Sequence, residues 1–258
     1  MNNLRVWTDE QIDYYFMGIK YSDYPRIFWE KILKEIKGCS SLIDIGCGPG
    51  AFALKAAQNG MVVQAVDINK KNLDALNNKC REMCLENITI IFGNWLDIEV
   101  KNADVCISAY SFGGDIGTID GIKKILQHTD KIAFFISPYE KIKTDFLSKD
   151  LYQKLGKTPP AFSGDYMDLL RIFSEMEQPV KFEVVEHDFG MPLENDNEDT
   201  LEKCALYLCE KLELDMGLNL LELMREHLRN ITTMKDGMYW VPNPRKSVMI
   251  TWRRRQSG

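Results

Sequence analysis

The sequence predicts an α/β fold with a doubly wound, mostly parallel sheet of seven strands. Two observations predict it: short apolar strands alternate with helical segments over residues 39–138, and the first strand stops at a glycine-rich loop. Such alternation implies a parallel sheet with helices on both faces, and right-handed crossovers make the sheet doubly wound. The whole chain, 1–258, is interpreted as one domain.

Two amphipathic helices are predicted in residues 1–38, ahead of the first strand. Thr8 and Gln11 have the spacing of a capping box, which indicates that the first helix begins there. Pro25 suits the start of the second helix. The predicted apolar face of that helix consists of Trp29, Ile32, Leu33 and Ile36.

The remaining elements follow from apolar runs and the glycine, proline, asparagine and aspartate residues that bound them. The predicted strands are 42–45, 61–66, 88–92, 103–108, 131–137, 182–187 and 247–252. The predicted helices between the early strands are 52–58, 69–85 and 122–127, and two more, 200–212 and 218–228, form a helical insertion at about 195–240 before the last strand.

Composition and charge narrow the function classes. The formal net charge is -6, which disfavours nucleic acid as a partner because its phosphates are also negative. No apolar run reaches the roughly 20 residues that a membrane span needs, and Asp9, Glu10 and Asp13 interrupt any leader-like stretch. We therefore expect a cytoplasmic protein without membrane contact.

The seven cysteines show no regular spacing. Four of them lie in apolar contexts and are interpreted as reduced core thiols, namely Cys47, Cys106, Cys204 and Cys209. Cys80 and Cys84 stand four residues apart on a predicted helix, but none of the three histidines is near them in the sequence. Ordinary helix residues explain this pair better than metal ligands, so no metal site is predicted.

The main chemical signal is the loop between the first strand and the helix after it. Glycines at such a turn let the backbone bend sharply and let a ligand approach the main chain closely. The loop lies at the carboxyl end of a parallel strand, where this fold class binds nucleotides. The residues concerned are Asp44, Gly46, Cys47, Gly48, Pro49 and Gly50.

Two kinds of nucleotide fit this loop. Gly46, Gly48 and Ala51 satisfy the spacing of a dinucleotide-binding loop. However, Asp44 would repel a pyrophosphate, whereas it suits the ammonium of an amino acid. The loop therefore favours a ligand with a cationic end, although Asp44 as a helix cap remains an alternative.

Residues 42–50 resemble motif I of class I S-adenosylmethionine-dependent methyltransferases, which implies a Rossmann-like sheet with an antiparallel last strand. Residues 66–69 resemble motif II, and the resemblance implies that Asp67 takes both ribose hydroxyls and that Ile68 lies beside the cofactor. One carboxylate has acceptor sites for both hydroxyls of a vicinal diol. The alternative for Asp67 is a helix cap.

Two further segments extend the resemblance. Asn94 and Trp95 lie in a motif III-like segment, which implies an adenine contact for Asn94, while Trp95 either stacks on a ligand or fills the core. Ala109 and Tyr110 end a motif IV-like segment, whose strand end faces the transferred methyl group. Residues 156–176 and the insertion resemble a bacterial branch of the superfamily.

The resemblance implies methyl transfer from S-adenosyl-L-methionine by in-line displacement, with residues 39–138 binding the cofactor and 139–258 forming the substrate side. The sequence Ser108-Ala109-Tyr110-Ser111 lacks the motif of amino-methylating DNA enzymes, which together with the acidic charge favours a small-molecule or protein acceptor over DNA. A small-molecule acceptor is the first reading. A protein or RNA acceptor is the second reading. A nucleotide-binding protein without methyl transfer, such as an NAD-type oxidoreductase, is the third.

The acceptor pocket is expected over the carboxyl strand ends. Its predicted walls are the insertion and the N-terminal tyrosines Tyr14, Tyr15, Tyr21 and Tyr24. We interpret the insertion as a substrate lid first and as a homodimer interface second. Residues 111–115 are a candidate flexible lip, with a plain turn as the alternative. No catalytic residue is assigned, although a hydroxyl acceptor would need a general base. The candidates for that base are Tyr110, His128 and His187.

Overall fold

A computed structural model describes residues 7–161, 164–194, 198–212, 214 and 218–255. Its helices are α1 Asp9–Tyr21, α2 Arg26–Glu35, α3 Ala51–Gln58, α4 Lys70–Glu82, α5 Ile119–Gln127, α6 Lys149–Lys154, α7 Tyr166–Glu175, α8 Glu198–Lys211 and α9 Leu218–Ile231. Its strands are β1 Ser41–Ile45, β2 Val62–Asp67, β3 Ile88–Phe92, β4 Ala103–Ala109, β5 Thr129–Pro138, β6 Val180–Asp188, β7 Met191–Leu193, β8 Thr233–Lys235, β9 Met238–Val241 and β10 Pro244–Arg253.

Seven strands form one sheet in the order β3-β2-β1-β4-β5-β10-β6. Strand β10 runs antiparallel to both of its neighbours, β5 and β6. The pairs β1–β2, β1–β4, β2–β3 and β4–β5 are parallel. The predicted doubly wound, Rossmann-like sheet with an antiparallel last strand is therefore confirmed.

Apolar side chains cover both faces of the sheet, because successive residues of a strand point to opposite faces. One core packs Leu42 and Val105 against α2 and α3. The other core packs Ile43 and Cys106 against α5 and α7. Because both faces of the sheet are covered, the sequences of the buried strands are continuous apolar runs, as is typical of parallel strands.

The N-terminal helices pack on the sheet as two separate segments. Both hydrogen bonds of the predicted capping box are present, with Gln11 N donating to Thr8 Oγ1 at 3.2 Å. The predicted apolar face of α2 was wrong at one position, since Leu33 is 37% exposed and Phe28 is fully buried in its place. The face is rotated towards Phe28 because α2 packs beside the ring of His187.

The insertion before β10 is not purely helical, which corrects the sequence-based interpretation. Its strands β8 and β9 form a three-stranded antiparallel sheet with β7, which lies just before the insertion, in the order β7-β9-β8. Its strands have only three or four residues each, so they carry little periodic signal. Helices α8 and α9 pack against this sheet in a third apolar core that includes Leu208, Met224 and Val241.

Within the described ranges, no helix is both long and apolar enough to cross a membrane. The same part of the chain contains no cluster of three or more His, Cys, Asp or Glu side chains that could hold a metal ion. Helix α4 ends at Glu82, so Cys84 lies beyond it in a left-handed turn rather than on the helix with Cys80.

The third core predicts a large difference between two leucines of α8. Leu208 is fully buried, whereas Leu206 is 36% exposed. We expect Leu208→Ala to lower the free energy of unfolding by about 2–5 kcal/mol through lost burial and a cavity. Leu206→Ala should change it by less than about 0.5 kcal/mol. Urea unfolding followed by circular dichroism measures both, and equal small losses would show that α8 is not part of a packed core.

Candidate active site

The glycine loop connects the end of β1 to the start of α3. Gly46 has a φ of +67°, and a β-carbon there would lie 2.4 Å from the Cβ of Ser111. Glycine is therefore required by both conformation and close approach. A β-carbon on Gly48 would meet no described atom within 4 Å. The open side of the loop at Gly48 leaves room for a ligand against the main chain.

Asp44 is buried near the end of β1, beneath this loop. Its Oδ2 accepts a hydrogen bond from Ala53 N at 2.9 Å, in the first turn of α3. Burial, the largest effect, and the nearby charge of Asp67 together raise the pKa of the Asp44 carboxyl to about 7, although the bond from Ala53 opposes the shift. Asp44 therefore caps the helix, as the alternative interpretation held, and it also carries a titratable charge into the site.

Asp67 ends β2 and ties its strand to the glycine loop. Its Oδ2 accepts from Gly48 N and its Oδ1 from Asn69 N, both at 2.7 Å. Burial raises the pKa of this carboxyl, and these amide bonds partly offset the effect. Each carboxylate oxygen has a second acceptor site, so two ligand hydroxyls can still bind. The following residue, Ile68, exposes 40% of its surface beside the loop.

Asn94 follows β3 and is half-buried. Its Nδ2 donates a hydrogen bond to Asp115 Oδ2 at 2.6 Å. Asp115 begins a short 3₁₀ turn after β4, within the predicted lip. Sequence reasoning did not assign Asp115 a site role. Its only signal was its place in the Gly-Gly-Asp stretch after β4.

Trp95 points away from the site, in contrast to its neighbour Asn94. The indole is buried in the core beside α5, and its Nε1 donates to the carbonyl of Gly121 at 3.0 Å. Of the two interpretations of this side chain, the geometry favours the core residue.

Tyr110 follows Ala109 at the end of β4 in a left-handed conformation, with a φ of 55°. Its hydroxyl lies 2.6 Å from Ser247 Oγ and 3.2 Å from His187 Nε2, and these two atoms are 3.1 Å apart. Burial, followed by the nearby Arg245, lowers the pKa of His187 to about 4. His187 is therefore neutral at physiological pH, and its buried Nδ1 makes no described hydrogen bond.

A cavity of about 190 Å³ adjoins this cluster at the carboxyl ends of β5 and β6. Its wall includes an ion pair between Arg245 Nη2 and Asp145 Oδ1 at 2.7 Å. Neither residue was predicted, because isolated charged residues carry no motif. The lining residues are Tyr110, Pro138, Glu140, Ile142, Thr144, Asp145, Glu186, His187, Pro244, Arg245, Lys246 and Ser247.

Of the other predicted wall and base residues, Tyr15 and Tyr24 lie near the site, whereas His128 does not. Tyr15 reaches the neighbourhood of Asp44, where burial and that charge raise the pKa of its phenol. The ring of Tyr24 lies 5.8 Å from the ring of Tyr110. His128 is wrong as a candidate base, because it caps the carboxyl end of α5 and its carbonyl pairs with Ala103 at the amino end of β4. It lies at the opposite edge of the sheet.

Comparison with known proteins agrees with the geometry. Residues 42–129 match the family model described as methyltransferase domain. A protein of Haemophilus influenzae, without an assigned function, is 28% identical over 155 residues, which are 58% of this chain and 56% of that protein. Ribosomal protein L11 methyltransferase of Clostridium perfringens is 28% identical over 102 residues, 39% of this chain and 33% of that protein.

A solved structure resembles the whole fold. Magnesium protoporphyrin IX methyltransferase of Synechocystis, with bound S-adenosylhomocysteine, aligns with a TM-score of 0.53 at 12% identity. The alignment covers 97% of this chain and 89% of that one. At this identity the likeness shows the fold alone. The chain spans about half, or less, of the length of the two sequence relatives above.

The burial of Asp44 predicts a pH-dependent stability that one substitution should remove. A carboxyl whose folded pKa of about 7 exceeds its ordinary value of 3.8 destabilises the fold progressively as pH rises between those values. Asp44→Asn keeps an acceptor for Ala53 N but no charge. It should gain about 2–3 kcal/mol over the wild type between pH 5 and pH 8.

Urea unfolding at both pH values measures this gain. Asp74→Asn is the matched control, because Asp74 is an exposed carboxylate on α4. If Asp44→Asn and the wild type show the same pH dependence, Asp44 is not desolvated as described.

Proposed function

We propose that this chain, a member of the class I S-adenosylmethionine-dependent methyltransferases, transfers a methyl group from S-adenosyl-L-methionine to a small-molecule acceptor. Reduced thiols accord with action in the cytoplasm, since all seven cysteines are free. Two features of the site support the cofactor and the acceptor class separately.

The observation that carries the proposal is a pair of desolvated carboxylates without a counter-ion. Asp44 lies near the end of β1 and Asp67 ends the adjacent strand β2, and burial raises the pKa of both. Among the described residues, no lysine, arginine or histidine forms an ion pair with either. A ligand with a cationic end supplies the missing charge, whereas a pyrophosphate would add a third anion.

The residues present fit S-adenosyl-L-methionine along the edge of the sheet. Asp44 would hold the ammonium, Asp67 would accept from the ribose hydroxyls, and the open side of Gly48 would admit the ligand to the main chain. Ile68 and the Asn94–Asp115 pair offer an apolar surface and polar atoms for the adenine. When bound, this group supplies a methyl already activated by its sulfonium charge, so the protein's task is alignment.

The acceptor side supports a small molecule. Tyr110 ends β4 and also lines the cavity of about 190 Å³, so this cavity begins at the strand end that the family uses for methyl transfer. That volume lies below the range of about 300–1,000 Å³ typical of drug-sized ligands. Tyr110, Ser247 and His187 hold one another by hydrogen bonds, which fixes a polar surface for the reacting group.

A protein acceptor is the second candidate. It is favoured by the name of one relative, a ribosomal protein L11 methyltransferase, whose alignment covers 39% of this chain. The cavity does not support a long substrate groove, so this candidate ranks second. Transfer of radiolabelled methyl from the cofactor to fractionated cell extract, separated by size, distinguishes the two acceptor classes.

Cofactor binding is the direct test. S-adenosylhomocysteine at 100 times its Kd should stabilise the protein by about 2.7 kcal/mol and raise Tm, whereas NAD should leave Tm unchanged. Asp67→Asn removes one charged acceptor and should weaken binding of S-adenosylhomocysteine about 10- to 100-fold. Asp74→Asn on α4 is the control. A Tm shift with NAD and none with S-adenosylhomocysteine would refute the proposal.

The affinity should also depend on pH through Asp44. Below its pKa of about 7 the carboxyl is protonated, and an ammonium binds only the ionised form. The Kd for S-adenosylhomocysteine should therefore rise as pH falls from 7.5 to 5.5, by up to about tenfold per pH unit. Calorimetry in this range measures the slope, and Asp44→Asn should bind weakly with a flat profile. A flat profile for the wild type contradicts the role of Asp44.

A further inference from the structure

A buried ion pair forms part of the acceptor cavity, and we propose that it selects the substrate. Arg245 binds a carboxylate on the acceptor, so the substrates are small monocarboxylic acids. This inference rests on the proposed function, because it assigns the cavity beside Tyr110 to the methyl acceptor. Its evidence is the geometry of Arg245, the support behind Asp145 and the charges of the cavity.

The guanidinium of Arg245 is fixed before any ligand binds. Its Nη2 lies 2.7 Å from Asp145 Oδ1, and the two side chains are only 19% and 11% exposed. Its Cζ lies 5.6 Å from the centroid of the Tyr110 ring. The backbone of Arg245 is held in the sheet by antiparallel pairing of β10 with β6, opposite His187. A cation held this way loses little entropy when it binds a ligand.

The position of Asp145 is maintained at a conformational cost. The next two residues, Phe146 and Leu147, have φ values of 56° and 55°. A non-glycine residue in this region costs on the order of 1–3 kcal/mol and persists only where its surroundings impose it. Here Phe146 N donates to Asn243 Oδ1 at 2.8 Å, and the carbonyl of Phe146 lies 2.8 Å from His227 Nε2. The turn thus holds the carboxylate against Arg245.

A buried ion pair is weak evidence for stability, because desolvation offsets much of its attraction. A role in binding explains it better. Arginine has five N–H donors in one plane, and the bond to Asp145 leaves most of them for another acceptor. A planar carboxylate matches that fork with two parallel hydrogen bonds. Arg245 lines the cavity, so its remaining donors border the space where a ligand would lie.

The remaining charges of the cavity favour a monoanion over a phosphate. The second cation, Lys246, is paired with Glu186 at 2.7 Å, and the two side chains are 49% and 71% exposed. Glu140 adds a further negative charge to the lining. A dianion would therefore meet one buried cation and a surplus of carboxylates. The neutral His187 and the hydroxyls of Tyr110 and Ser247 also line the cavity and leave the reacting end of the acceptor uncharged.

The test compares a carboxylate with its neutral amide in protein saturated with S-adenosylhomocysteine. The probes are phenylacetate, phenylacetamide and phenyl phosphate, with Kd values from ligand-observed NMR. Phenylacetate should bind at least about tenfold more tightly than either of the others, as expected for charged hydrogen bonds. Arg245→Met should abolish that preference, and Arg245→Lys should retain part of it.

Two further variants keep the result decisive. Asp145→Asn combined with Arg245→Met removes both charges, so that no unpaired carboxylate remains buried if the single variant fails to fold. Arg253→Met is the matched control, since Arg253 lies on the same strand and pairs with Glu35 outside the cavity. This control should keep the full preference, and all variants should bind S-adenosylhomocysteine normally.

The inference is overturned if amide and carboxylate bind equally, if phenyl phosphate binds best, if no probe binds, or if the double variant keeps the preference. Its failure is separable from failure of the proposed function. Absence of S-adenosylhomocysteine binding to the wild type would refute the function, while the probe titration repeated without this ligand still tests Arg245.

Discussion

One carboxylate joins the two strand ends on which the whole site depends. Asp67, at the end of β2, accepts the amide of Gly48 in the loop after β1. Next to this bond, Cys47 N donates to the carbonyl of Val66, which fixes the loop a second time. Because β1 and β2 are parallel neighbours, their carboxyl ends lie at the same edge of the sheet. The two hydrogen bonds hold these ends together as a rigid ligand-binding surface. A substitution that displaced the Asp67 carboxylate would therefore break its bond to the loop as well as its contact with the ligand.

The same arrangement explains the electrostatics. The loop and the helix α3 close over Asp44, and Tyr15 from α1 closes it from the other side. Water is therefore replaced by protein around two carboxylates whose strands are adjacent. Burying these charges costs free energy in the absence of a cation, and a cationic ligand removes that cost when it binds. Relief of this unfavourable electrostatic energy therefore contributes to the affinity for the ligand, in addition to the new contacts.

Sequence reasoning was most accurate where the information is local. The loop glycines, Asp44 and Asp67 are specified by a strand, a turn and a helix within one short stretch, and β3 was located at its observed bounds. The sequence does not determine the orientation of Trp95, because a residue that follows a strand can face either the core or the solvent. The structure places it in the core, with its indole bonded to Gly121.

The substrate side was predicted far less well, for a physical reason. Asp145 and Arg245 are a hundred positions apart, and each has an ordinary sequence context. They meet because β10 pairs with β5, which brings the start of β10 beside the segment that follows β5. His187 and Ser247 likewise meet through pairing of β6 with β10, although each lay at the edge of a predicted strand. The strands of the small sheet are not predicted from the sequence, because three or four residues are too few to show a periodic pattern.

The position of β10 has a consequence for synthesis of the protein. This strand lies between β5 and β6, and β6 contacts the main sheet only through it. While the chain is being translated, β6 and the insertion exist before the strand that attaches them. A nascent chain therefore carries an unpaired edge of β5 until residues 244–253 emerge, and such an edge can pair with another chain.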